Sequence, residues 1–185
     1  MTQQYQSRSP SNSLLRRLFQ CQGILALHVS ADNLGQLVCG GDDQIPSVHR
    51  YIVDNMFTSA AAEDLLPGIR KIIETLPPHP SHFVFAGWKP SADRADMVYG
   101  LEDEIYLALY TAWRDPADAQ RYCDWAQLNM TAMSHLATGI SLADENLARR
   151  PAKFITDPNM ARLNTVRAAY DPDGLFHSWM RVVHC

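Results

Sequence analysis

The chain has 185 residues, of which 46% are hydrophobic and 19% charged, a composition typical of a globular protein with one domain. Its net charge of -4 excludes the broad basic field that attracts nucleic acid or acidic membranes, so we expect neither partner. The polar start MTQQYQSRSPSNS lacks the apolar core of a signal peptide, and no apolar run approaches the roughly 20 residues of a membrane span. The scattered cysteines form no C-x-x-C pair, which favours reduced thiols and a cytoplasmic location.

The first quarter of the chain predicts little regular structure. Residues 1–12 are rich in Ser and Gln and are predicted to be a disordered N-terminus. Residues 13–46 hold a short helical segment and two apolar runs, GILALHVS and LGQLVC, separated by the turn-like cluster SADN. These two runs predict a β-hairpin, although the sequence gives no indication of what residues 13–46 do. The next run, SVHRYIVDNM, carries β-branched residues and predicts a strand.

A helix is predicted over AAEDLLPGIRKIIETL. Its apolar residues recur at helical spacing: Leu65, Leu66, Ile69, Ile72, Ile73 and Leu76. We expect Ser59 to cap its N-terminus and PPHP to end it, because proline cannot continue a helix. A strand over SHFVFAGW, the polar loop KPSADRAD and a short strand over MVYG follow.

The segment DEIYLALYTAW predicts a strand with two different faces. Alternate side chains point to opposite sides, giving an aliphatic face of Ile105, Leu107 and Leu109 and an aromatic face of Tyr106, Ala108 and Tyr110. We expect the aliphatic face to pack on helices and the aromatic face to be free for a ligand. For Tyr106 and Tyr110, core packing and ligand binding both remain open. Trp88, at the end of its strand beside a polar loop, either closes the edge of this pocket or simply packs.

The longest helix is predicted over RDPADAQRYCDWAQLNMTAMSHLATG. Asp115 is expected to cap its N-terminus and Gly139 its C-terminus. ISLADENL then predicts a short strand or extended segment, and the Asp-Pro pair at 157–158 opens a final helix to about residue 169. From residue 47 the order is strand, helix, strand, strand, helix, strand. This order predicts an α+β fold, an antiparallel sheet with helices packed on one face.

No motif by itself predicts a metal site or a catalytic residue. The double glycine in CGGDD at 39–43 has the spacing of neither a dinucleotide loop nor a P-loop and predicts a turn. HPSH at 79–82 is interrupted by proline and predicts a linker rather than a metal site, and His177, His184 and Cys185 fall at the terminus. The carboxylates of LEDE at 101–104 predict a solvated turn before a strand.

The segment NMARLNTVRAAYDPDGLF at 159–176 resembles the C-terminal segment of FAD-linked oxidases with a berberine-bridge-enzyme-like end. That family shows N-Y-x-R-L, a helix, and then Y/H-D-P-x-x-x-F. The matching residues are Asn159, Arg162, Leu163, Asp171, Pro172 and Phe176. HSWM at 177–180, WRDPADAQRYCDWAQLNMTAM and ATGISLADENL are similar to segments of a bacterial branch of these oxidases. The resemblance covers about residues 47–180.

The resemblance implies a substrate, or cap, domain over residues 47–156 and a berberine-bridge-enzyme-like helix and tail over residues 157–185. It implies FAD as the cofactor of the family and Asn159 as a flavin-side contact, although Asn159 is equally suited to the first turn of a helix. In some relatives a tyrosine before this asparagine is the catalytic base, whereas KFITDP has none, so the catalytic residues stay unknown. Residues 1–46 leave no room for a glycine-rich FAD-binding domain, so we expect the chain alone to bind FAD weakly or not at all.

The function that these patterns favour is that of a substrate-domain part, or remnant, of an FAD-linked oxidoreductase acting on a small organic molecule such as a secondary metabolite. Two alternatives stay open: a flavin-independent cyclase and a non-catalytic ligand-binding protein. An exposed aromatic sheet face would also favour association. We therefore expect a homodimer or a separate FAD-binding subunit.

Overall fold

The computed structural model describes residues 26–29, 48–92, 97–98 and 100–176. Four strands are present in this part of the chain: β1 (Ala26–Val29), β2 (Arg50–Thr58), β3 (His82–Gly87) and β4 (Ile105–Trp113). They form one sheet in the order β1-β3-β4-β2, and every neighbouring pair is antiparallel. The longest strands, β2 and β4, pair along their whole length, which places β4 at the centre of the sheet between β3 and β2.

Within the described ranges, three α-helices accompany the sheet: α1 (Ala62–Glu74), α2 (Ala119–Met133) and α3 (Asp157–Tyr170). Short 3₁₀ turns lie at Pro116–Asp118, Ser134–Leu136 and Leu142–Asp144. With the antiparallel sheet, these helices confirm the predicted α+β class. Within the described residues, none of the helices combines the length and the apolar character that crossing a lipid bilayer requires.

The core lies between one face of the sheet and the helices α1 and α2. Leu107 and Leu109 of β4 are fully buried in it, as the alternation of that strand predicts. The other buried members come from the neighbouring strands and from the two helices: Met56, Leu65, Ile69, Ile72, Phe83, Phe85, Ala126, Met130 and Met133. Burying these apolar side chains, at about 1.5–3 kcal/mol for each large one, holds the helices on this face. The opposite face of the sheet therefore carries the tyrosines.

Strand register fixes which side chains meet on this second face. Tyr106 lies directly between Phe57 of β2 and Ala86 of β3, and Tyr110 lies between Val53 and His82. Because cross-strand neighbours stand about 4.5–5.5 Å apart at their Cβ atoms, the ring of Tyr106 contacts that of Phe57. The aromatic face predicted for β4 thus extends onto β2.

Two of the predicted helix caps are wrong, and the third residue caps the 3₁₀ turn that precedes its helix. Helix α1 begins at Ala62, and its N-cap Ala61 makes no side-chain capping bond, so Ser59 is not the cap. Helix α2 ends at Met133, and Gly139 is not its cap, because a 3₁₀ turn follows the helix and Gly139 pairs with Phe57 instead. Asp115 does cap, since its side chain accepts the N–H of Ala117 at 2.9 Å in the 3₁₀ turn before α2.

Other predicted elements differ in part from the structure. The first run of the predicted hairpin, GILALHVS, contains β1, but β1 pairs with β3. The other run, LGQLVC, lies outside the described residues, and so do residues 1–12, CGGDD and HSWM. Met97 and Val98 of MVYG are not in a strand. ISLADENL forms a 3₁₀ turn rather than a strand. Cys123 is buried and disulfide-bonded, so the prediction of reduced thiols is wrong for this residue; the other three cysteines lie outside the described residues.

Candidate functional site

An open cleft of about 620 Å³ lies on the aromatic side of the sheet, where β2 ends and β4 begins. Its walls come from these two strands, from the loop that connects β3 to β4, and from the segment after α2. The lining residues are Phe57, Trp88, Leu101, Glu102, Tyr106, Ile140, Ser141, Leu142, Ala143, Asp144 and Phe154. Most are apolar and a few are polar, a mixture typical of a site for a small organic ligand.

Three rings form a continuous aromatic wall in this cleft: Phe57, Trp88 and Tyr106. The ring centroids lie 5.5 Å apart for Phe57 and Trp88, 5.1 Å for Phe57 and Tyr106, and 6.1 Å for Trp88 and Tyr106. The rings are inclined to one another by 46–60°, so each supports the next through edge contacts. Trp88 remains 44% exposed, which leaves much of its indole surface available to a ligand.

One carboxylate, that of Asp144, is held by two tyrosines beside the aromatic wall. Its Oδ2 accepts the hydroxyl of Tyr106 at 2.6 Å and that of Tyr110 at 3.0 Å. The two tyrosines are two residues apart on one strand, so both hydroxyls leave the same face of the sheet. No described residue donates a hydrogen bond to the other carboxylate oxygen, Oδ1.

Burial and Asp144 keep both tyrosines protonated. Burial, followed by the hydrogen bond from its hydroxyl to Asp144, raises the pKa of Tyr106 far above its ordinary value. The pKa of Tyr110 is also raised, first by burial and then by the negative charge of Asp144. Because both side chains stay protonated, neither tyrosine is available as a tyrosinate base. Both are donors, and Asp144 is the acceptor that they orient.

A buried asparagine on β2 positions the turn that carries Asp144. The side chain of Asn55 accepts the N–H of Ser141 at 2.7 Å and donates to the carbonyl oxygens of Ser141 at 3.0 Å and of Asp144 at 2.5 Å. Asn55 is fully buried, so these bonds satisfy a polar group that would otherwise lose its contact with water. Asn55 thereby fixes the turn Leu142–Asp144 against the edge of the sheet.

An ion pair next to Asn55 anchors the end of the same segment. Arg150 donates from Nε to Asp54 Oδ1 at 2.8 Å, from Nη2 to the same oxygen at 2.5 Å, and from Nη2 to the carbonyl of Asn55 at 2.7 Å. Asn146 adds a bond to Asp54 Oδ2 at 2.9 Å. Burial raises the pKa of Asp54, while the guanidinium of Arg150 and the amide of Asn146 oppose that rise. Residues 141–150 are thus fastened to β2 at both ends.

Comparison with known proteins was informative only at the level of structure. No family model and no curated protein matches the chain. Among solved structures, the chain superposes on CrmK, a flavoenzyme involved in shunt product recycling in caerulomycin biosynthesis, with a TM-score of 0.58 and 15% identity over 73% of the chain. GilR, the oxidoreductase of the terminal step of gilvocarcin biosynthesis, was solved with pregilvocarcin and matches 79% of the chain with a TM-score of 0.58 and 16% identity. A BBE-like protein of Physcomitrella patens matches 74% with a TM-score of 0.59 and 9% identity.

The chain has the fold of the substrate-binding domain of FAD-linked oxidases. It covers 33% of CrmK, 34% of GilR and 31% of the BBE-like protein, about a third of each. At these identities the likeness is one of fold, and it confirms the resemblance drawn from the sequence. The aromatic wall and Asp144 lie on the face of the sheet opposite to the one that α1 and α2 cover.

The structure brings some of the predicted site residues together and separates one of them. Trp88 and Tyr106 line the cleft, while Tyr110 supports Asp144 and stacks on His82 with ring centroids 4.7 Å apart. Asn159 lies elsewhere, in a smaller groove of about 230 Å³ beside Met97, whose carbonyl accepts its side-chain N–H at 2.7 Å. Ligand binding stays a prediction for Trp88, Tyr106 and Tyr110. Flavin contact stays a prediction for Asn159.

The acidic turn at 101–104 does more than face solvent, contrary to the sequence prediction. Glu102 lines the cleft and accepts the N–H of Ser91 at 3.0 Å. Asp103 accepts the hydroxyl of Thr138 at 2.5 Å. The first bond is made within the loop before β4, and the second ties this loop to the segment after α2. Among the described residues, no group of three His, Cys, Asp or Glu side chains could hold a metal ion.

The site residues that the sequence analysis missed are Asp54, Asn55, Asp144 and Arg150. One signal was present in the sequence: Asp54 and Asn55 stand next to each other inside a strand whose other central residues are apolar. A pair of polar side chains in a buried strand requires partners, because an unpaired buried polar group costs roughly 1–3 kcal/mol. The identity of those partners could not be read from the strand itself.

The raised pKa values predict that the free energy of unfolding falls as the pH rises above about 10, the ordinary pKa of tyrosine. There the unfolded chain releases the protons of Tyr106 and Tyr110 while the folded chain retains them, so stability present at lower pH is lost. Denaturant unfolding at neutral and alkaline pH should show that the free energy of unfolding falls less in Tyr106→Phe than in the unmodified chain. Tyr170→Phe, on the exposed surface of α3, is the control. An equal fall in Tyr106→Phe and the unmodified chain would contradict the assignment.

Proposed function

We propose that this chain is the substrate-domain part of an FAD-linked oxidoreductase and that the cleft binds its substrate, a small organic molecule such as a secondary metabolite. The observation that carries the proposal is the pairing of the aromatic wall with a carboxylate held by two tyrosine hydroxyls at 2.6 and 3.0 Å. This pairing lies on the tyrosine-bearing face of a sheet that has the fold of FAD-linked oxidases. CrmK and GilR, which share that fold, both act in biosynthesis, and this supports the substrate class.

FAD would supply the electron acceptor of the reaction when bound. The cleft offers an apolar wall to a flat ring, but among the described residues that line it there is no lysine, arginine or histidine that could pair with a pyrophosphate. We therefore propose that the phosphates of FAD are bound by polypeptide outside the described residues. The part of the neighbouring structures that this chain does not cover is about two thirds of each, and it would include that FAD-binding portion.

Within the cleft we assign the polar role to Asp144. Since Tyr106 and Tyr110 stay protonated, they orient the carboxylate and do not compete with it for a proton. Oδ1 is then the acceptor that is left for a donor group of the substrate, an alcohol or an amine. The aromatic wall would hold the rest of the substrate by stacking. Asp144 would thereby orient the bond to be oxidised.

The remaining expectations about the chain's surroundings are proposals as well. A homodimer or a separate FAD-binding subunit would cover the aromatic side of the sheet, where Trp88 is 44% and Tyr51 is 61% exposed. A cytoplasmic location also stays a proposal, and the disulfide at Cys123 is a feature more often found in oxidising compartments.

The binding role of the tyrosine face can be tested with tryptophol, a neutral aromatic alcohol. We expect the double variant Tyr106→Ala, Tyr110→Ala to bind tryptophol about tenfold more weakly than the unmodified chain, because it loses a ring of the wall and the support of Asp144. Isothermal titration calorimetry measures both affinities. Tyr170→Ala, which removes an exposed tyrosine from α3, is the matched control and should bind like the unmodified chain. Full affinity in the double variant would show that the ligand binds elsewhere.

A further inference from the structure

The charged groups among the described residues that line the cleft are carboxylates, those of Glu102 and Asp144, and none of the other described lining residues is cationic. Glu102 already accepts a backbone N–H from Ser91. Asp144 has its Oδ2 occupied by two hydroxyls, while no described residue donates to its Oδ1. A ligand in this cleft therefore meets a carboxylate oxygen with a free acceptor position.

The aromatic wall also favours a cationic ligand. The faces of aromatic rings carry partial negative charge and attract cations, tryptophan most strongly. Trp88 lines the cleft and is 44% exposed, and the ring centroids of Trp88 and Tyr106 lie 6.1 Å apart. The hydroxyl of Tyr106 bonds to Asp144 at 2.6 Å, so the ring faces and the carboxylate are adjacent. One ammonium group could contact both.

A neutral ligand would interact with Asp144 and the ring faces less favourably than a cationic one. An alcohol donates one hydrogen bond to Oδ1 but leaves the charge of the carboxylate uncompensated in a largely apolar cleft. A protonated amine donates the same bond, neutralises the charge and rests on the ring faces. An anionic ligand would be repelled by the carboxylate of Asp144. The geometry thus ranks ligands in the order cation, neutral molecule, anion.

We propose that the cleft selects apolar ligands that carry a protonated amine, with the ammonium group between Asp144 Oδ1 and the faces of Trp88 and Tyr106. This inference rests on the proposed function, because it specifies the substrate class of the same cleft. It extends that function by assigning the ammonium-binding role to one carboxylate and two rings.

Three indole compounds of similar size and different charge test the inference on the full chain: tryptamine, tryptophol and indoleacetate. By isothermal titration calorimetry at neutral pH, we expect tryptamine to bind about tenfold more tightly than tryptophol and indoleacetate to bind most weakly. Equal affinities for tryptamine and tryptophol would overturn the inference and leave the proposed binding site intact. Binding of none of the three would overturn both.

A pair of variants separates the cleft from the general negative charge of the protein. In Asp144→Asn, tryptamine should bind no more tightly than tryptophol, because the amide carries no negative charge to attract the ammonium group. Asp64→Asn removes the same charge from an exposed position in the first turn of α1 and should keep the tenfold preference. A preference retained in Asp144→Asn, or lost equally in both variants, would overturn the inference.

Discussion

Replacing Arg150 by alanine is expected to lower the free energy of unfolding by about 3–5 kcal/mol. The substitution leaves the carboxylate of Asp54 fully buried without the guanidinium that compensates it. It also removes a bond to the carbonyl of Asn55, the residue that positions the turn carrying Asp144. The loss should therefore appear both in stability and in tryptophol affinity. Denaturant unfolding followed by circular dichroism measures the first and calorimetry the second.

Arg149→Ala is the matched control for this prediction. Arg149 pairs with Asp124 across side chains that are 19% and 42% exposed, so its loss should cost less than that of the buried pair, since exposed ion pairs contribute about 1 kcal/mol or less. A further variant tests the reason: Asp54→Leu combined with Arg150→Met should recover part of the loss, because no unpaired charge remains buried. If Arg150→Ala destabilised the protein no more than Arg149→Ala, the ion pair would not be the anchor of the segment 141–150.

Gly139→Ala should cost about 1–3 kcal/mol of unfolding free energy, the usual result of overpacking a buried site. A Cβ atom at this position would lie 2.4 Å from Leu101 Cβ and 2.8 Å from the Leu101 carbonyl oxygen. A backbone carbonyl cannot move aside as the end of a flexible side chain can. The segments that carry Gly139 and Leu101 must therefore move apart. Gly139 also joins β2, since its carbonyl accepts the N–H of Phe57 at 2.8 Å. Leu101 and Phe57 both line the cleft, which should lose tryptophol affinity as well.

The control for this substitution is Gly87→Ala at the end of β3. A Cβ atom there would have no described neighbour within 4 Å. Alanine restricts the unfolded chain more than glycine does, so this variant should be as stable as the unmodified chain or slightly more stable. Thermal unfolding of the two variants side by side makes the comparison. Similar melting temperatures for Gly139→Ala and Gly87→Ala would show that the contact with Leu101 is not tight.

The sequence by itself determined the layers of this fold. Strand β4 has strict alternation, so Leu107 and Leu109 had to enter one layer and Tyr106 and Tyr110 the other. The apolar spacing of α1 likewise marked the helix that covers the aliphatic face, with Leu65, Ile69 and Ile72 buried. These features depend on the local periodicity of apolar residues, which can be read directly from the amino-acid sequence. Hence the fold class and the tyrosine face were both predictable.

Only the tertiary structure decided which groups complete the site. Asp54 and Asn55 lie 86–96 residues away in the sequence from the main partners of their side chains, Ser141, Asp144, Asn146 and Arg150. Nothing local in ISLADENL distinguishes Asp144 from the other acidic residues of a surface turn. Gly139 was predicted as a helix cap because glycine often has that role, whereas here it is required by the close approach of Leu101. Contacts of this kind depend on how separate segments meet, and that is settled only when the core brings β2, the loop before β4 and residues 139–150 together.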